Sequence, residues 1–455
     1  MAGAQTFRTF LISTIAAGAL CAPAFADDAS TAALEARIAE MEAMLAELRA
    51  EIDATRQANT AMTDRVSELE ARPVAAPAAA LPEVTAAASP AGNGFMAGDT
   101  RVSYGGFIDI DAHVTDLSDG DIAPTSIARD FYIPGAIPVG GTGDGEPDTD
   151  FTAQGSRFFF TTSTPTDFGN VTSRLEFDFL GSPGGDERVS NSYNPRLRVG
   201  WVQLGDWRFG QDWSTFQNTA AIPESASFLV ASDGMIFVRQ AQVRYTRGDF
   251  QFALENADST VTPAAGTGRI DAGDGAMPDV VARYNFTGDF GNISLSAVGR
   301  NLALEMPGVD GNAFGWGLAA QGRINVGDSS DIRFSLAGGE GLGRYIGLNA
   351  VNGAIVNASG DLEAIPVWGG LVALRHDIGG GRRFNLGYSR LEADNDMTLS
   401  APTATRRVHS AFANYMVTIG GGVTLGAEIL LGERVLENGE SGSITRATFS
   451  TKYSF

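Results

Sequence analysis

Thiol chemistry is almost absent from this 455-residue chain: its single cysteine, Cys21, lies inside the amino-terminal apolar stretch. Residues 1–26 read as a signal peptide. Arg8 gives a weakly basic start, Phe10–Leu20 the apolar core, and Ala24-Phe25-Ala26 a small-x-small cleavage site before Asp27. A lipoprotein signal at Cys21 would need a small residue where Leu20 stands, so cleavage after Ala26 is the preferred reading. The exported chain then has neither a disulfide nor a reactive thiol. Lysine is nearly missing too; Lys452 is the only one, so arginine carries almost all the positive charge. The formal charge of −22 argues against nucleic acid as a partner. Beyond the amino terminus no apolar run reaches the roughly 18 residues of a membrane helix. The three histidines, His113, His376 and His409, are scattered, with no HExxH spacing and no Gly-x-Ser-x-Gly elbow. No catalytic residue, metal set or cofactor is expected. The acidic run Asp144, Glu146, Asp148 and Asp150 lacks the glycine and terminal glutamate of a calcium-hand loop and reads as a solvated outer loop.

What is present falls into two parts. From Leu34 the apolar spacing alternates four and three. Ile38, Leu45, Ile52, Asn59 and Val66 share one heptad position; Leu34, Met41, Leu48, Thr55, Met62 and Leu69 share the other. This predicts a coiled coil over 27–72, about five heptads in register and roughly 65 Å long as a helix. Isoleucine and leucine at both seam positions lean toward three strands, with polar layers at Thr55 and Asn59 setting register. Pro73 ends the rod, and an Ala/Pro-rich linker occupies 73–97.

From 98 to 455 alternating stretches are separated by Gly- and Asp-rich turns. In the last one, Ala447, Phe449, Thr451, Tyr453 and Phe455 share one face, and Arg446, Thr448, Ser450, Lys452 and Ser454 the other. Val171–Phe179 alternates in the same way, with Arg174, Glu176 and Asp178 opposite Leu175, Phe177 and Phe179. A charged face opposite an apolar one, repeated, describes a wall between lipid and water. The pattern predicts an all-β transmembrane β-barrel of about 16 antiparallel strands, with the coiled coil before it, both barrel ends on the periplasmic side, and an aqueous channel. Residues 217–235 are too apolar for a freely solvated loop. They either pack against a neighbouring subunit or fold into the lumen.

Polar and aromatic residues crowd the inward face of the first half, in Ser156–Phe160, Arg174–Phe179, Pro195–Arg198, Phe209–Phe216 and Arg239–Thr246. The run Gly210-Gln211-x-Trp213-Ser214-x-Phe216 and the run Arg239-Gln-Ala-Gln-Val-Arg-Tyr-Thr246 resemble the DcaP-like outer-membrane porins. That resemblance implies a trimeric barrel with an amino-terminal coiled coil, in the outer membrane of a Gram-negative bacterium, taking up small anionic solutes, dicarboxylates among them. The rod would lie in the periplasm, with peptidoglycan as a candidate contact, and the barrel would meet lipid and lipopolysaccharide. The residues themselves support an anion path in part: Arg157, Arg174, Arg196, Arg198 and Arg244 would face water, with Gln211 beside them. They would pair with Glu176, Asp178, Asp109 and Asp111 across the wall and at the same time form an arginine ladder on one side, with acids on the other and a transverse field between. An envelope tether anchored by the barrel is the alternative, and a barrel enzyme is a third reading that lipase or protease assays would exclude.

Overall fold

The computed structural model describes residues 93–141, 146–181, 191–264 and 266–455. The signal peptide, the coiled-coil seam and the linker as far as residue 92 lie outside the described residues. The described chain is a closed barrel of sixteen antiparallel strands, the number expected. In order these are β1 (Thr100–Leu117), β2 (Asp148–Thr152 and Arg157–Thr166), β3 (Gly169–Asp178), β4 (Arg196–Leu204), β5 (Trp207–Trp213), β6 (Arg239–Arg247), β7 (Phe250–Glu255) and β8 (Asp279–Gly288). The circuit continues with β9 (Gly291–Met306), β10 (Val309–Val326), β11 (Ser330–Glu340), β12 (Pro366–Gly379), β13 (Arg382–Ala393), β14 (Thr405–Gly420), β15 (Val423–Leu436) and β16 (Ser441–Ser454). β1 pairs with β2 on one edge and with β16 on the other, which removes any free edge. Phe455 donates to the Gly106 carbonyl at 3.1 Å and completes the seam. Among the described residues no helix is long and apolar enough to cross a membrane.

Alternation drives this closure. Phe449 on β16 is 61% exposed on the outer face, whereas Arg446, Thr448 and Ser450 are buried inside. Ile108 and Ile110 face out from β1, while Asp109, Asp111 and His113 face in. Without water in the membrane core each unpaired backbone group would cost several kcal/mol, so a closed ladder is the arrangement strands can adopt there. β2 is interrupted at 153–156, and Ser156 fills the gap by accepting from the Asp109 amide at 3.0 Å. A short strand, Gly94–Ala97, hairpins onto β1 through Gly98, whose φ of +62° suits glycine. That places the end of the expected linker within the sheet.

One rim carries only tight turns, such as Gly205-Asp206, Gly248-Asp249 and Gly421-Gly422. The other carries long loops, among them 118–147, 214–238, 256–278 and 341–365. Short turns inside and long loops outside is the membrane-barrel arrangement. Loops 256–278 and 341–365 build a small four-stranded sheet over the long-loop rim, with Val261, Leu302, Ala354 and Leu362 in its core. The wall is uneven. β4, β5 and β7 have 9, 7 and 6 residues, whereas β9, β10 and β14 have 16, 18 and 16.

Candidate functional site

Loop 214–238 decides the shape of the lumen. It folds inward and runs along the inner face of β8 to β15, so the lumen reading of 217–235 holds and the neighbour-packing reading does not. Its own Phe216, Ala226, Leu229, Val230 and Ile236 are all buried. Its backbone is held by wall side chains. Arg283 donates to the Gln217 carbonyl and Arg333 to the Ile222 carbonyl, both at 2.6 Å. Glu224 lies between Arg383 (2.7 Å) and Arg375 (3.2 Å). Glu428 accepts from the Ala226 amide at 2.9 Å and from Ser227 at 2.8 Å. At Gly234 the loop backbone lies directly on the wall: an added Cβ would come within 2.3 Å of the Gly370 backbone. Loop 118–147 joins the same assembly, with Tyr132 donating to Asp233 at 2.7 Å and Ser410 holding the other carboxylate oxygen. Burial pushes Asp233 up to about 6 even though these hydroxyls favour its charged form.

On the wall from β2 to β4 the loop makes no such backbone contacts among the described residues, and only its Phe228 reaches, 5.9 Å from Arg157 and 5.3 Å from Arg198; this side carries the arginines singled out from the sequence. Arg174 grips Glu176 at 2.7 Å and stacks on Phe159 at 4.1 Å. Arg198, fully buried, bridges Glu176 (3.0 Å) and Asp178 (2.6 Å). Arg196 holds Asp178 at 2.9 Å with both Nε and Nη2, and Arg157 approaches Glu176 at 3.6 Å. Carboxylates and guanidinium groups are therefore interleaved in one patch on this side. The transverse field with acids on the far side is not what forms, because Glu176 and Asp178 alternate with the arginines on adjacent strands and bind them directly. The far wall carries more arginines instead: Arg283, Arg333, Arg375 and Arg383. Asp109 pairs with Lys452 at 3.2 Å. Asp111 is buried, with one oxygen lacking a hydrogen-bond partner. Arg244 is buried too and is tied to Thr215 and Asp212, which makes it a support for the loop root.

Gln211 needs correcting. It shares the outward parity of Trp207 and Phe209, and its amide donates to the Leu197 and Arg198 carbonyls at 3.0 Å. There it mends the backbone where the β3–β4 register shifts. Two arginines close to this patch were missed. Arg208 stacks on Trp201 at 4.0 Å and pairs with Asp212 at 2.6 Å. Arg239 stacks on Trp213 at 4.8 Å and lies beside Arg157, Arg196 and Arg198. Among the described residues Arg239 has no ion-pair partner, and its Nη1 is buried with no hydrogen bond; Arg157 Nε is in the same state. Alternation from Arg239 to Arg247 puts Arg239 with Ala241 and Val243 on the outer face, so parity gives no hint of its place beside Arg157, Arg196 and Arg198. Asp148 and Asp150 of the acidic run bind Arg129 at 3.2 and 2.9 Å, so their charge is already matched.

The DcaP outer membrane protein family matches residues 78–455. The chain belongs to that family. Among solved structures it is similar to the outer membrane channel DcaP of Acinetobacter baumannii, with 23% identity, a TM-score of 0.66, and 80% of this chain and 100% of that one covered. A loop-deletion form of OmpT from Vibrio cholerae shows 12% identity over 79% of this chain and 100% of its own, with a TM-score of 0.49. The anion-selective porin from Comamonas acidovorans shows 14% identity over 78% and 100%, with a TM-score of 0.48. Among curated proteins no sequence match is found. Family and fold together make this chain an outer-membrane β-barrel protein.

Proposed function

We propose that this protein is a porin that passes small hydrophilic solutes passively, with a preference for anions, dicarboxylates included, and that the β2–β6 wall sets the preference. One observation carries the reading. Five neighbouring guanidinium groups (Arg157, Arg174, Arg196, Arg198 and Arg239) meet two carboxylates, an excess of three positive charges. Arg239 is the member that no carboxylate among the described residues contacts, and it keeps unused N–H donors. A guanidinium fork held by aromatic stacking is always charged and suits a carboxylate, and fixed charges beside a narrow lumen raise the local counter-ion concentration. Salt-gradient reversal potentials in a planar bilayer test this. Anion preference that weakens in Arg239→Ala is the expected result; cation preference in the native channel would overturn it.

The low wall supports a homotrimer. β5 and β7, with 7 and 6 residues, fall short of the roughly 9–11 needed to cross a bilayer, and β4, with 9, only just reaches it. Their outer residues are nevertheless apolar, with Val202, Phe209 and Phe252 exposed. Other copies of the chain would cover that face. A native mass of three mature chains is expected; a stable monomer in mild detergent would count against it.

A further inference from the structure

At the long-loop mouth lies a cavity of about 400 Å³, separate from the β2–β6 arginine patch. Loops 118–147, 256–278, 341–365 and 394–404 form it together with the end of β15. Its volume is in the range of small-molecule sites. Arg269 and Arg434 line it, with Asn349, Asn352, Asn395 and Thr405, and no carboxylate is among the lining residues. On a chain of net charge −22, that makes an electropositive bowl in an acidic surface.

Both guanidinium groups are held by neutral acceptors. Arg434 donates from Nη1 to the Gly135 and Ile137 carbonyls at 3.0 and 3.1 Å, and from Nε to Thr405 at 3.0 Å. Arg269 donates from Nε to Asn352 at 2.8 Å and from Nη2 to the Asn349 carbonyl. In each case one terminal nitrogen, Nη2 of Arg434 and Nη1 of Arg269, makes no hydrogen bond among the described residues. The neutral acceptors fix each fork without neutralising it, and each keeps a free pair of N–H donors. The turn that presents the Asn349 carbonyl has left-handed backbone at Gly347, Leu348 and Asn349 (φ +64°, +49° and +61°), a conformation that side-chain-bearing residues adopt rarely.

We infer that this cavity is an extracellular binding site for small di- or tricarboxylates. Two guanidinium groups supplied by different elements suit a solute with two acid groups, and the surrounding amides and hydroxyls suit hydroxyl substituents. The site does not depend on the ion preference of the lumen.

The test is side-resolved block of single-channel current by citrate, using the full chain reconstituted in a planar bilayer. Citrate added on the long-loop side should interrupt the current at lower concentration than citrate added on the other side. Arg269→Gln should weaken that block about tenfold, the loss of one charge-assisted contact, and Arg269→Gln/Arg434→Gln should abolish it. The reversal potential should stay unchanged in both. Because Arg269 is exposed, the single variant decides the matter even if the double variant fails to assemble. Undiminished block in Arg269→Gln, no sided block in the native channel, or block by inorganic phosphate at equal concentration would overturn the inference. A cation-preferring channel that keeps sided, Arg269-dependent citrate block would remove the proposed lumen selectivity and leave this site standing.

Discussion

The two halves of the barrel wall use the same residue for opposite ends. From β8 to β14 the inward arginines are consumed by structure: Arg283 and Arg333 hold loop carbonyls, and Arg375 and Arg383 clamp Glu224. From β2 to β6 they meet carboxylates they outnumber, and Arg239 contacts none among the described residues. Arginine content alone therefore says little about selectivity. What counts is whether an inward guanidinium is already spent on a carbonyl or carboxylate, because a donor in use cannot also greet a solute.

Removing the lining from the far wall should have the largest effect. Replacing 217–235 by a short Gly-Ser link uncovers Arg333, Arg375 and Arg383 and widens the lumen. Unit conductance should rise severalfold, and anion preference should rise with it. Unaltered conductance in a folded trimer would mean that the loop does not bound the path. Next comes Arg239→Ala. A unit charge about 7 Å from a solute in water-like surroundings is worth about 0.6 kcal/mol, so the local anion excess should fall roughly threefold. The paired variant Arg174→Ala/Glu176→Gln sharpens the comparison. It removes one charge of each sign, so the reversal potential should stay close to native and dicarboxylate block should change little. A loss equal to that of Arg239→Ala would show that paired arginines also serve solutes.

The wall was legible from the sequence because lipid and water impose a two-residue period, and the strand number follows from counting those periods. Gln211 was legible by the same rule: parity puts it with Trp207 and Phe209, and only its place in a run shared with related porins suggested the lumen. Arg239 was not legible by that rule, because along β6 it shares the parity of Ala241 and Val243, which face out. The loop was not. Its apolar residues announce burial, but the partners that hold it, Glu428, Arg383 and Ser410, lie about 150 to 200 residues away and no local pattern links them. Nor was the pairing of Glu176 and Asp178 with four arginines decidable, since alternation gives the face and not the partner.

The smallest effect concerns the latch that joins the covering loop to loop 118–147. Asp233 is fully buried between Tyr132 and Ser410, and burial raises its carboxyl to about 6 against an ordinary value of 3.8. The folded latch therefore binds a proton more tightly than the opened one. Its contribution is complete below about pH 4 and is lost as the pH rises through about 6. The shift of about two units corresponds to about 3 kcal/mol. Hydrogen exchange of 226–238 in the native channel should thus be slower at pH 4.5 than at pH 7.5, once corrected for intrinsic rates. Asp233→Asn, neutral throughout, should remove the difference while leaving the lumen charge on β2–β6 untouched. Equal pH dependence in that variant would place the titrating group elsewhere, and the far wall would then owe its cover to the arginine clamp on Glu224 alone.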